Sequence, residues 1–178
     1  MLAPEGSLSL AQEHLRVMLA DAPVFRAWCA AADQAEALAH VYHEGLPAPP
    51  DGVEYSRDEL ESLRPYAVVF TAERAGFELL LSGIGETWDY NASGRLILRL
   101  RENCPEGFGD EPTSEAGLRW KNTLGGIMQD LAELSGGEGY LHVQRVRLED
   151  GPYWPHPNLI PSEGLWLGAD LSIEWRGI

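Results

Sequence analysis

Hydrophobic positions recur at two spacings along this chain, and the change between them falls near Arg64. Before it, apolar residues are three and four apart, the period of a helix with one buried face. Ser9 suits an N-cap, with Gln12 three residues on completing a capping-box pattern. Leu10, Leu15, Val17, Met18 and Leu19 then predict an amphipathic helix that ends near Asp21. Pro23 suits the first turn of a second helix carrying Phe25, Trp28, Cys29, Ala32 and Ala35. The run 36–47 either continues that helix or switches to a strand at 38–42. A proline-rich acidic connector follows over 47–63, with a short helix over 58–63.

From Arg64 onward the strand period takes over. Residues 65–73 are β-rich, and 76–90 hold one or two strands broken by Gly83 and Gly85. In 94–103, Leu96, Leu98 and Leu100 alternate with Arg95, Arg99 and Arg101, predicting a half-buried strand with a charged outer face. Asn91, Ala92, Ser93 and Gly94 are read as a short hairpin-like turn before it. Residues 104–117 read as a loop. The clearest helix lies in 118–139, with Leu124, Ile127, Met128, Leu131 and Leu134 on one stripe that should face the sheet. Gly125 and Gly126 weaken its first half, and Gly136 and Gly137 stop it. The alternation in 140–150 slips between Val143 and Val146, as a bulge would make it, and 165–175 is the final strand. The pattern predicts an α+β fold, a mainly antiparallel sheet with N-terminal helices and one long helix packed on it. Residues 1–8 are expected to be a flexible lead-in and 9–178 a single domain, since 178 residues are enough for one core and short for two.

Charge narrows the choice of partners. Asp and Glu total 28 against 13 Lys and Arg, a formal net charge of −15, and Lys121 is the one lysine. Such a surface repels phosphate backbones and anionic membranes unless a local basic patch intervenes. The densest basic cluster is Arg95, Arg99 and Arg101, within one strand. Arginine pairs with carboxylates in bidentate geometry, so this usage suits ion pairs between subunits. Neither a secretion signal nor an apolar run long enough to span a membrane is present in the sequence. Cys29 and Cys104 fit no CxxC pattern, and Cys29 reads as a buried, inert thiol.

The sequence carries few enzyme signatures. It has no P-loop, no GxSxG, no HExxH and no spaced Cys/His cluster. His40, His43 and Glu44 would share one face of a helix and so resemble a metal set, but on a strand the two histidines would point to opposite sides. Asp89 between Trp88 and Tyr90 has the composition of a sugar-binding trio, against the plainer reading of strand aromatics in a core. In the stretch 153–161, Tyr153, Trp154 and His156 sit among Pro155, Pro157 and Pro161, with Pro152 just before. Prolines stiffen such a loop, and large aromatics are enriched at protein contacts, so it reads as an interface surface rather than as a cap on the chain's own sheet. His156 has no partner identifiable from sequence that would make it a general base. No catalytic residue, metal or other cofactor is assigned.

The order of these segments resembles the tail terminators and related tail or neck proteins of long-tailed bacteriophages and prophages. The likeness is carried by "DAPVFRAWCAAADQAEALAHV" (21–41), "RPYAVVF" (64–70) and "SGRLILRL" (93–100). After these, "NTLGGIMQDLAELSG" (122–136) runs straight into "GYLHVQRVRLEDGPYW" (139–154), and "LWLGADLSIEWRG" (165–177) follows. The resemblance is one of layout over most of 9–177 and includes no diagnostic motif. It implies a non-enzymatic virion subunit, made in the host cytoplasm, that forms a homohexameric ring capping the tail tube. The ring would meet tube and neck or head-connector proteins and let DNA pass through its lumen without specific binding. Arg95, Arg99, Arg101, Tyr153, Trp154 and His156 are the interface candidates. A tail-completion, head-closure or minor tail protein is the near alternative, and a small hydrolase or a sugar-binding module is the alternative from another class.

Overall fold

The structure is a computed structural model that describes residues 8–72, 76–84, 87–105, 115–153 and 166–177, with the backbone alone at 79–84 and 87–91. Helices α1 (Leu8–Asp21), α2 (Pro23–Trp28) and α3 (Gln34–Leu38) precede a three-residue strand, β1 (Val41–His43). Helix α4 (Arg57–Leu63) and strands β2 (Tyr66–Thr71), β3 (Glu78–Ile84) and β4 (Thr87–Asn103) follow. Helix α5 (Glu115–Leu134) and strands β5 (Val143–Tyr153) and β6 (Trp166–Arg176) complete the order. The sheet runs β1-β2-β4-β6-β5, with β3 added to β4. Every pairing is antiparallel except β1 with β2. The expected α+β architecture is therefore the observed one.

The alternation read in the central strand sorts the two faces of the sheet. Leu96, Leu98 and Leu100 of β4 are buried with Ala67 and Val69 of β2 and with Leu167, Ala169, Leu171, Ile173 and Trp175 of β6. Against them pack Leu15, Met18 and Leu19 of α1, Phe25 of α2, and Trp120, Leu124, Ile127 and Leu131 of α5. The stripe expected on the long helix is thus the buried one, with Met128 and Leu134 partly buried beside it. The opposite residues of β4, including Arg95, Arg99 and Arg101, point away from these helices.

Three local readings are corrected. The second helix does not run through Ala32 and Ala35: α2 stops at Trp28, Ala30 takes a positive φ of 55°, and α3 starts anew. Its start is fixed by Asp33, whose carboxylate accepts the Glu36 N–H at 2.9 Å while the Glu36 side chain accepts the Ala32 N–H at 2.7 Å. The same reciprocal logic starts α4, where Ser56 and Glu59 form a capping box.

The second correction concerns the expected turn at Asn91–Gly94, which is strand. β4 is continuous for 17 residues, and the chain reverses between Ile84 and Thr87 instead. Gly94 serves packing: a Cβ there would come 3.2 Å from the Trp175 ring, which lies over it. Third, Gly126 opens a notch in α5 for α2, since a Cβ at that position would meet Val24 Cγ2 at 2.9 Å. The Val24 N–H, at the start of α2, donates to Asp130 of α5 at 2.7 Å. One of the two glycines that looked like a weak point, Gly126, is where two helices close on each other.

The length of β4 has a topological consequence. One of its edges is shared by β3, along Thr87 to Ser93, and by β2, along Leu96 to Arg101. Its other edge holds β6, but only from Ser93 to Asn103. The far third of β4 and most of β3, from Leu80 on, therefore form a two-stranded ribbon that continues past the last β6 pairing.

Candidate functional site

The sheet face turned away from the core helices concentrates the chain's arginines. Arg99 is registered opposite Asp170 of β6, and its fork grips that carboxylate through Nε to Oδ1 at 3.0 Å and Nη2 to Oδ2 at 2.8 Å. Arg101 reaches the same carboxylate at 3.3 Å and donates to the Leu100 carbonyl at 2.8 Å. Its guanidinium lies over the Trp166 ring at 4.5 Å and the Tyr153 ring at 5.1 Å, while that of Arg99 lies over Phe70 at 5.0 Å. Gly168 makes this possible, because a Cβ there would fall 2.6 Å from Arg101 Nη1.

Burial and charge pull these groups in different directions. Desolvation lowers the pKa of Arg101, with the Asp170 charge opposing it. The hydrogen bond to Asp170 raises that of Arg99, which is more exposed. Tyr153 is pushed up to about 12, first by burial and then by donating its hydroxyl to Asp150 beside the Asp170 charge. Arginine here is a fixed cation held between rings and carboxylate, the arrangement in which it cannot be replaced by lysine. Around this centre, Glu149 pairs with Arg147 at 2.7 Å and Arg95 at 3.7 Å, and Arg145 pairs with Glu174 at 3.7 Å. The face is a lattice of matched charges.

Of the residues singled out in the sequence, Arg95, Arg99, Arg101 and Tyr153 share this face, and all four have partners within the chain. Trp154 and His156 lie outside the described residues. Asp170, Trp166 and Phe70, which organise the cluster, were not singled out. Their signal was present in the outward positions of the alternating strands, with Asp170 an acid where a partner for the arginines is needed.

The histidine pair does not converge. His40 precedes β1 and its Nδ1 lies 2.7 Å from the Pro65 carbonyl, while His43 Nε2 lies 3.0 Å from Glu13 of α1. Glu44 instead accepts from Gln12 and, at 3.2 Å, from Thr71. Among the described residues no group of His, Cys, Asp and Glu is arranged to hold a metal ion. Cys29 is buried, as read, and burial raises the pKa of both cysteine thiols, so neither is poised as a thiolate.

A second acid, half-buried, belongs to the end of the central strand. Glu102, at the end of β4, accepts the Trp28 indole N–H at 2.8 Å, and burial raises its pKa against the opposing charge of Arg119. Trp28 packs between Phe25 and Trp120, with ring centroids 5.5 and 6.1 Å away. This carboxylate ties α2 to the sheet, and among the described residues its hydrogen-bond partner is the Trp28 indole alone.

A scan against protein-family models gives no match. A search of curated proteins finds no significant relative.

Proposed function

We propose that the chain is a structural subunit of a long-tailed phage or prophage particle, a ring-forming tail terminator or neck protein that caps the tail tube and joins it to the head. The observation that carries this reading is the β3–β4 ribbon, which leaves the sheet with strand edges unmatched by any described strand. A subunit of a closed ring needs two complementary surfaces, and an element that reaches past its own fold is one way to supply the first. The order of elements supports the same reading: helices first, a central arginine-bearing strand, then α5 leading into β5 and β6. The charge lattice adds to it, because a pre-paired face is rigid and loses little entropy on contact.

The test is the mass and shape of the purified protein. Native mass spectrometry should give a closed oligomer, a hexamer if the resemblance holds, and negative-stain images should show rings with a central opening. A monomer at every accessible concentration would rule the reading out, and a monomer retaining stoichiometric metal would favour the small hydrolase.

A further inference from the structure

The ribbon presents a backbone edge. In an antiparallel ladder both backbone groups of one residue face the same edge, and successive residues alternate. The Ala92 carbonyl accepts the Gly177 N–H on the side of β4 that holds β6. Alternation then places the N–H and C=O of Tyr90 and Trp88 on that same edge, beyond the last β6 pairing, where no described strand meets them. Unpaired backbone groups in a row form a template for another strand.

We infer that this edge of β4, over 87–91, receives an extended strand from a second copy of the chain. The inference rests on the ring reading above and names the atoms of its contact. Comparison with the β5 and β1 edges of the sheet supports it. The outer edge of β5 is blunted by register shifts at Val143/Arg145, Leu148/Asp150 and Asp150/Tyr153, by exposed Arg145 and Arg147, and by Pro152. The β1 edge is three residues long. The ribbon has an unbroken ladder from Glu78/Ser93 to Ile84/Thr87, and neither strand of it there contains proline, lysine or arginine. Protection is missing where it would be expected if the edge stayed bare.

Charge points to where a second copy can approach. Two copies each carrying −15 repel over most of their surface. The segment 87–91 contains one residue charged at neutral pH, Asp89, so main-chain hydrogen bonds form there with little charge brought together.

Two measurements test it. The first is amide exchange on the unmodified protein, resolved at Trp88 and Tyr90, across a dilution series followed by sedimentation velocity. Their amides should be protected in the assembled fraction and exchange freely once it dissociates. The second is Tyr90→Pro, which deletes an N–H from the open edge and leaves the bonds to β3 in place, with Asn91→Pro deleting one that faces β3. Tyr90→Pro should weaken assembly roughly tenfold or more while the circular dichroism of the monomer is kept, since a lost strand bond also strands its acceptor. A ring whose Trp88 and Tyr90 amides exchange freely would overturn the edge assignment and leave the ring reading standing. Protection that is independent of concentration would mean that the chain covers its own edge, and would also overturn it. A protein that never assembles removes both.

Discussion

Val24 and Gly126 touch where no side chain but hydrogen would fit: a Cβ on Gly126 would lie 2.9 Å from one Val24 methyl and 3.0 Å from the other. A Cβ on its neighbour Gly125 would have no described residue within 4 Å outside its own helix turn. Two adjacent Gly→Ala changes should therefore act with opposite sign. Gly125→Ala should stabilise by about 0.5–1 kcal/mol through helix propensity. Gly126→Ala gains the same propensity but forces a stiff β-branched side chain aside, and should destabilise by about 1–2 kcal/mol net. Chemical denaturation of both variants decides it; equal effects would mean that α2 is not seated on α5.

Asp170 holds two guanidinium groups in a site where it and Arg101 are nearly enclosed. Asp170→Asn should cost about 3–5 kcal/mol, because it leaves Arg101 buried without a counter-charge. Arg145→Ala, which removes an exposed pair with Glu174, should stay within about 1 kcal/mol. Similar losses at the two sites in urea titrations would show that the Arg99–Asp170–Arg101 cluster is solvated.

Glu102 links stability to pH with an unusual sign for an acid. Burial raises its folded pKa, so its contribution is fully present below the pKa of the unfolded chain and is lost as pH rises through the folded value. Glu102→Gln keeps an oxygen for the Trp28 indole but cannot ionise. The variant should gain on the parent protein as pH rises out of the carboxylate range, and the two should converge in acid. Thermal melts across pH 3–8 are the measurement, and parallel curves would count against the buried carboxylate.

On the long helix, Leu131 is fully enclosed. Leu131→Ala should cost about 2–5 kcal/mol in equilibrium unfolding. A loss within about half a kcal/mol would be that of a surface site.

Elements set by local periodicity were legible: the stripe on α5, the alternation of Leu96, Leu98 and Leu100, and the slip after Val143. What was missed depends on residues far apart in sequence. Gly94 looked like a turn residue because the ring that needs its missing side chain, Trp175, lies on another strand. Gly126 looked like a flaw for the same reason. The break after Trp28 did carry a local sign, Asp33 followed by Glu36, which the alanine-rich run around it masked. For the candidate site, the arginines were visible but their partners were not, since Asp170 becomes their counter-ion only through the β4–β6 register.

The sheet order has a bearing on how the chain is made. β6 lies between β4 and β5, with strands on both sides, yet it is the last of the six to leave the ribosome. Until it arrives, β4 and β5 have no common partner, and Leu96, Leu98 and Leu100 lack the β6 side chains that share their layer of the core. The N-terminal helices wait as well: Val24 needs Asp130, and Tyr140 must be present to donate to Asp21. Non-local pairing of this kind is slow and exposes apolar strands in the meantime. Nascent chains that stop short of Trp166 should therefore be degraded readily by protease, and resistance should appear abruptly once the strand through Arg176 has cleared the exit tunnel.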